Sequence, residues 1–450
     1  MSTTEPKEPL SDSFADSLGG MFDSRQQRNE HAGPDDYDPF EEFNRSAGIG
    51  VVENPYPMFA LVRAEHTIKR EDFGDAMMPE GGLPEGEELE LLNSLELADE
   101  VAVFTAYGFD AVQQVLKDGD TFSSAGYADI MGPVFGHSIL EMDEPEHHTY
   151  RGLVQQAFSR KAMETWERDL VRGVVDEMLD EIIADKRGDL VGSLTFPFPV
   201  LVIARMLGLP REDLPAFHRQ AVEMISAGFE FDRAIAASNA LYEYFCAIIA
   251  DRRKNPSTDV ISVLVQAELE GQRLDDAQIC SFLRLLLPAG AETTYRSSSN
   301  LLFGLLTNPE QLDALRADRA LMAQAIEEGL RWEPPLLGIM RTATRDTEVD
   351  GMAVPAGSVV AVNIGSANHD ERYWDNAEEF DIFRAPRQHL AFAWGPHMCL
   401  GLHLARMETR VAITQILDRL PNLRLDPDVD APFITGAVFR APNTLPVVWD

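Results

Sequence analysis

The chain of 450 residues carries 75 Asp and Glu against 38 Lys and Arg, a formal net charge of −37, and is 45% hydrophobic. That balance excludes long-range attraction to nucleic acid or to an anionic membrane, and three cysteines are too few for a disulfide framework. The Met-Ser-Thr-Thr-Glu start has no basic stretch followed by an apolar run, so no secretory signal is expected and the setting read from it is a reducing cytoplasm.

Residues 1–100 hold 24 acidic and 7 basic residues, nearly half of the net charge in under a quarter of the chain. Residues 1–45 read as an acidic, flexible tail, and a Gly- and Pro-rich acidic insertion is expected at about 75–97. The rest, 46–450, reads as one large domain without a linker. Apolar spacing predicts a helix over 55–65, a strand over 101–107 and a helix over 111–117. Longer helices are predicted over 146–158, 161–184, 234–252, 275–306 and 321–332, with short strands at 358–364 and 445–448. The uncharged stretches 351–369 and 388–405 are interrupted by Gly, Pro, His or Asn, which argues against a membrane span. The fold class expected is mainly α with small β-sheets.

The most informative stretch for chemistry is His389-Leu-Ala-Phe-Ala-Trp-Gly-Pro-His-Met-Cys-Leu-Gly. Cys399 lies between Gly395-Pro396 and Gly401, where the backbone must turn tightly. Leu400, Leu404, Met407 and Val411 then recur at helical spacing. A helix N-terminus favours a thiolate, and a thiolate is a strong anionic metal ligand. Cys246 and Cys280 fall inside helical patterns and read as small buried hydrophobes. Upstream, Pro288 and Gly290 within the 275–306 pattern predict a bend, flanked by the acid Glu292 and the alcohol Thr293. Glu328 and Arg331, three apart on a predicted helix, share a face and can pair.

The pattern Phe392-x-x-Gly395-x-His397-x-Cys399-x-Gly401 resembles the haem-ligand loop of the cytochromes P-450, of the bacterial soluble type, and the resemblance runs from about Asn54 to Asp450. One departure is Ala393, where the family usually has Gly; its methyl adjusts packing beside the thiolate without removing a ligand. The resemblance implies the cytochrome P-450 fold and Cys399 as the axial thiolate of haem b (iron protoporphyrin IX), with Phe392 and Gly401 in the loop around it. It implies that His147, Arg151, Arg341 and His397 meet the haem carboxylates, that Ala289 and Gly290 form the oxygen groove, and that Glu292 and Thr293 relay protons. Glu328 and Arg331 would be a buried structural pair without a chemical role.

The activity implied is that of a monooxygenase, an oxidoreductase placing one atom of dioxygen into an organic substrate. Three cysteines cannot build an iron–sulfur cluster and also spare Cys399, so electrons would come from a separate ferredoxin and ferredoxin reductase. Arg384, Arg387, Arg406 and Arg410 against Glu408 suggest a basic patch for an acidic donor. By the same resemblance the substrate walls are 124–140, 228–231, 284–291, 336–340 and 436–439. Leu336, Leu337, Ile339, Met340, Val438 and Phe439 among them favour an apolar terpenoid, steroid, fatty or aromatic compound. Competing readings are a peroxide-using haem-thiolate enzyme, a haem isomerase and a non-catalytic haem sensor. The first two commonly lack the acid–alcohol pair, and no sensing module is appended here.

Overall fold

The computed structural model describes residues 52–71, 101–225 and 231–450. The tail expected at 1–45, the insertion at about 75–97 and the wall segment 228–230 lie outside the described residues. The helices that position the site are α1 (Tyr56–Glu65), α2 (Phe109–Lys117), α3 (Tyr127–Phe135), α4 (Glu146–Val154), α5 (Pro197–Met206) and α6 (Leu214–Ile225). They continue with α7 (Phe231–Arg252), α8 (Asp276–Leu287), α9 (Thr293–Thr307), α10 (Met322–Trp332) and α11 (Leu402–Arg419). Among the described residues no helix is long and apolar enough to cross a membrane.

Local chemistry explains the most consequential boundary. Helix α8 starts at a full capping box: the Asp275 side chain accepts from the Gln278 N–H, and the Gln278 side chain accepts from the Asp275 N–H. The helix predicted over 275–306 is in fact three pieces, α8, a π turn over Pro288–Glu292, and α9. Pro288 has no N–H to donate, so the ladder is broken there and resumes one residue out of step. The helix predicted over 161–184 is also divided, into Arg160–Trp166, a π turn Glu167–Val171 and Arg172–Ile182. That over 146–158 becomes α4 followed by a 3-10 turn, Gln155–Phe158.

Five strands, β1 (Ile68–Glu71), β2 (Val103–Ala106), β3 (Phe122–Ser123), β4 (Gly338–Ala343) and β5 (Val359–Asn363), form one sheet in the order β1-β2-β5-β4-β3. The β2–β5 pair is parallel, with Val103 opposite Val359, and the others are antiparallel. Among the described residues there are three smaller sheets, one of which joins Pro446–Val448 to Arg187–Asp189 and Arg424–Leu425.

Two main apolar cores form among the described residues, beside a third, small cluster. The larger lies among the helices and includes Phe198, Phe245, Leu283, Leu305, Val411 and Ile416. The smaller packs α2 against the sheet through Phe104, Val112, Val115, Val360 and Val362. The segment carrying Cys399 spans both: Phe392 packs on the helical core, whereas Leu390, Ala393 and Trp394 pack on the sheet core. A loop pinned at both sides is a rigid mount for a side chain between them.

Candidate active site

The Cys399 loop is held by its own backbone. The Cys399 N–H donates to the Phe392 carbonyl at 2.9 Å, and the Met398 N–H donates to Gly395 at 3.1 Å. Gly395 has φ +73°, and a Cβ there would stand 2.3 Å from the Leu116 carbonyl oxygen at the end of α2. Only glycine permits this close seating of loop on helix. Gly401 immediately precedes α11, and the one atom near its missing Cβ is the Cys399 Sγ, at 4.0 Å. The ring of Phe392 lies under the Arg406 guanidinium, 4.5 Å from it.

Ala393 has φ +58°, the left-handed region that glycine enters freely and alanine does not. The departure from the family pattern is therefore a small backbone strain. Ala393→Gly is expected to raise the stability of the folded protein by about 1 kcal/mol. Urea unfolding followed by circular dichroism would check this; a midpoint at or below that of the parent would contradict it.

Burial pushes the Cys399 thiol above its ordinary value, against the opposing pull of the Gly401 backbone and the Arg151 and Arg406 charges. A group so placed remains a thiol unless a cation binds it. Arg151, on α4, donates from Nη2 to the Met398 carbonyl at 2.6 Å, which fixes it beside the loop. Four residues earlier on the same helix face, His147 is buried, with Nδ1 3.0 Å from Glu144 Oε1 and Nε2 buried without a partner. Its neighbour His148 is exposed. The His147 ring lies 4.1 Å from the His397 ring, tilted 34° to it.

Burial, together with the His147, Arg341 and Arg151 charges, holds His397 down at about 3. The 4.1 Å ring contact and the bond of Arg151 to Met398, next to His397, bring His147, His397 and Arg151 together. Arg341, on β4, is 6% exposed and donates to the Met340 carbonyl at 2.7 Å. Among the described residues no carboxylate makes a hydrogen bond to Arg151, Arg341 or His397. Two buried or half-buried guanidiniums and an unpartnered imidazole nitrogen are a receptacle for carboxylates beside a metal-ligating thiol, which is the donor set a haem with two propionates needs.

The π turn sets a second group of side chains. Ala289 is exposed and Thr293 half-buried in a run otherwise mostly buried, so this edge faces open space. The Thr293 hydroxyl donates to the Ala289 carbonyl at 2.8 Å. Gly290 serves packing: a Cβ there would stand 2.9 Å from Ile203 Cδ1 on α5. Glu292 is buried and accepts a hydrogen bond from Arg296 Nε, one turn along. Burial raises its carboxyl, and the Arg296 charge and hydrogen bond oppose this only in part.

Arg296 was not among the expected site residues, although an acid and a base four apart is a legible signal. Its guanidinium lies over Phe439 at 5.6 Å, and Phe439 in turn bridges to Leu336, so the expected walls 336–340 and 436–439 do meet. Leu337 differs from expectation: it is buried in a small cluster with Tyr56, Phe59 and Tyr107.

Glu328 and Arg331 form a buried two-point pair, Nε to Oε2 at 2.8 Å and Nη2 to Oε1 at 2.7 Å, with a third member, Arg384, at 3.2 Å. The basic patch expected from sequence is largely cancelled. Arg406 is bonded twice to Glu327, at 2.6 and 2.7 Å, and Arg410 bonds Glu167 at 2.6 Å. Burial would raise Glu327, but its bonds to Arg406 and His389 overcome this and hold it at about 2. Glu408, counted among the surface charges, is buried.

A ligating thiol set beside a carboxylate receptacle is the layout of a haem-thiolate enzyme. Comparison with known proteins makes this specific: the Cytochrome P450 family model matches residues 193–445, more than half of the chain, and the chain belongs to that family. It is 32% identical over 418 residues to cytochrome P450 monooxygenase PikC of Streptomyces venezuelae, covering 89% of this chain and 92% of that one. It is 35% identical over 336 residues to a steroid C26-monooxygenase of Mycobacterium tuberculosis, covering 73% and 90%. The crystal structure of CYP109E1 from Bacillus megaterium with testosterone matches with a TM-score of 0.77 at 30% identity, over 88% of this chain and 99% of that one. The chain is thus a monooxygenase of the cytochrome P450 fold, and its cofactor is haem b.

Proposed function

We propose that the chain hydroxylates an apolar organic substrate in the cytoplasm, with electrons delivered singly by a separate ferredoxin and its reductase. Haem b supplies the redox-active iron at which dioxygen is cleaved. Cys399 would supply the sulfur that ligates it, and His147, Arg151, Arg341 and His397 would hold its propionates. The observation that carries the reading is the buried, unpartnered Nε2 of His147 among these cations beside a buried ligating thiol.

Glu292 and Thr293 move protons to the reacting oxygen. Burial keeps the Glu292 carboxyl raised, the direction that favours a proton donor. Turning the Thr293 hydroxyl from the Ala289 carbonyl toward the open edge would present an O–H to that space. Arg296 positions the acid. Residues 46–450 act as one catalytic domain.

Apolar side chains at Leu336, Ile339, Met340, Val438 and Phe439 favour a substrate of the steroid or terpenoid kind. A relative that oxygenates steroids and a fold neighbour that binds testosterone favour steroids first. Because Arg384, Arg406 and Arg410 are already paired, donor docking should depend weakly on salt.

The test is turnover by haem-loaded protein with NAD(P)H, a ferredoxin and its reductase, on steroids and terpenoids first selected by the Soret shift they induce. Product should require all three additions. Thr293→Ala should keep cofactor consumption while product falls about tenfold or more and peroxide accumulates. Full coupling in that variant would defeat the relay role, and product from peroxide alone would favour the peroxide-using reading.

A further inference from the structure

The two cysteines outside the Cys399 loop, read from sequence as inert hydrophobes, are brought face to face. Helices α7 and α8 pack side by side, and Cys246 Sγ on α7 stands 3.4 Å from Cys280 Sγ on α8. Cys280 is completely buried, whereas Cys246 is half-buried. One turn away on each helix sit Tyr242 and Arg284, with the guanidinium 5.2 Å from the phenol ring. The four side chains thus form two matching steps of four residues, thiol against thiol and cation against ring.

We propose that Cys246 and Cys280 are a peroxide-responsive dithiol that closes to a disulfide tying α7 to α8. The sulfurs are already in contact, and closing to a bond length of ~2.05 Å asks for a relative shift of roughly 1.4 Å. Rotation about two side-chain bonds and a small slide of one helix supply that. Neither helix has to bend, because both cysteines lie well inside their elements.

The order of steps follows from exposure. Burial drives the Cys280 thiol up, and the nearby Arg284 charge only partly offsets this. Cys246, open on one side, is therefore the sulfur that meets the oxidant. Its thiolate attacks one oxygen of hydrogen peroxide; the O–O bond breaks, hydroxide leaves and takes up a proton, and a sulfenic acid forms on Cys246. Cys280 then loses its proton as its sulfur attacks that of Cys246, and water leaves. Two thiols and one peroxide become one disulfide and two waters. A dithiol reductant returns both sulfurs by exchange.

The tie would act on the elements that cover the π turn. Helix α7 packs on α6, α6 also touches the Pro288–Glu292 turn, and α8 leads directly into that turn. Fixing α7 on α8 holds the α6–α7 pair against the turn that precedes Thr293. The oxidised form should accordingly be stiffer there and melt several degrees higher, since a loop of 33 intervening residues is closed.

The experiment uses the haem-loaded full chain, treated with hydrogen peroxide or, to spare the haem, with diamide. Expected is a mass loss of 2 Da, a joined Cys246–Cys280 peptide on non-reducing digestion, and a fall from three titratable thiols to one after denaturation without reductant. Dithiothreitol should reverse all three. Hydrogen exchange across 240–252 should slow by roughly tenfold in the oxidised form. Cys246→Ser, at a half-buried position, should abolish the link and leave Cys280 a thiol under the same treatment. Survival of both thiols, overoxidation of Cys246 with Cys280 untouched, or links only between chains would each overturn the proposal. Because none of these readouts is turnover, their failure leaves the monooxygenase reading standing.

Discussion

Glu328→Ala is expected to cost about 3–5 kcal/mol of stability and to yield protein with little bound haem. Two guanidiniums depend on this one carboxylate. Arg331 and Glu328 have side-chain exposures of 1% and 3%, and Arg384 approaches both oxygens at 3.2 Å. Removing the acid leaves a buried cation without compensation, the situation in which the loss of one partner is most damaging. The damage should reach the site. Arg331 also donates to the carbonyls of Asn368, Ala377 and Glu379, and the Asn368 side chain accepts from the Leu390 N–H at 2.8 Å, where the cysteine loop begins. Arg331→Met should therefore be about as harmful as Glu328→Ala, because three carbonyls lose their donor together. Thermal melts followed in the far ultraviolet and at the Soret band would check this. An unchanged Soret midpoint in Glu328→Ala would show that the loop is held without the pair.

The pair is also a measure of what the sequence could tell. Spacing alone shows that Glu328 and Arg331 can meet, and the family pattern makes them buried, but Arg384 arrives from 56 residues away and no periodicity announces it. The mount of Cys399 was legible because Gly395 and Gly401 are local signals of tight backbone. Its other half, the pressing of Gly395 against Leu116, depends on a long-range contact. The bend at Pro288 was legible for the same local reason, whereas its form as a π turn was not.

The basic patch shows the reverse error. Arg406 and Arg410 are near in sequence to few acids, yet Glu327 and Glu167 reach them from other helices. A charge count along a segment sees neither partner, and it counted Glu408 as a surface charge although the side chain is buried.

Glu408→Gln is expected to stabilise the protein increasingly as pH rises from about 4.5 to 8. The carboxyl lies on α11 against Thr294 of α9, and its Oε1 is buried without a partner. Burial drives it up to about 8 from 4.5, with the Thr294 bond opposing only in part. In that window the folded chain keeps a proton that the unfolded chain has released, so the unfolded state binds fewer protons and stability falls with rising pH. Each unit is worth about 1.4 kcal/mol, so the full span amounts to roughly 5 kcal/mol. Below pH 4.5 the group is protonated in both states and contributes no slope. A glutamine keeps the shape and the contact with Thr294 but has no proton to release. The difference between parent and variant should be near zero at pH 4.5 and should reach several kcal/mol by pH 8, with every other titrating group cancelling between the two. Urea midpoints at pH 5, 6.5 and 8 measure it directly. Parallel curves across that range would mean that Glu408 finds a cation or water in the folded state and is ionised there. Divergence on the alkaline side would place a neutral acid between α9 and α11, held by burial alone.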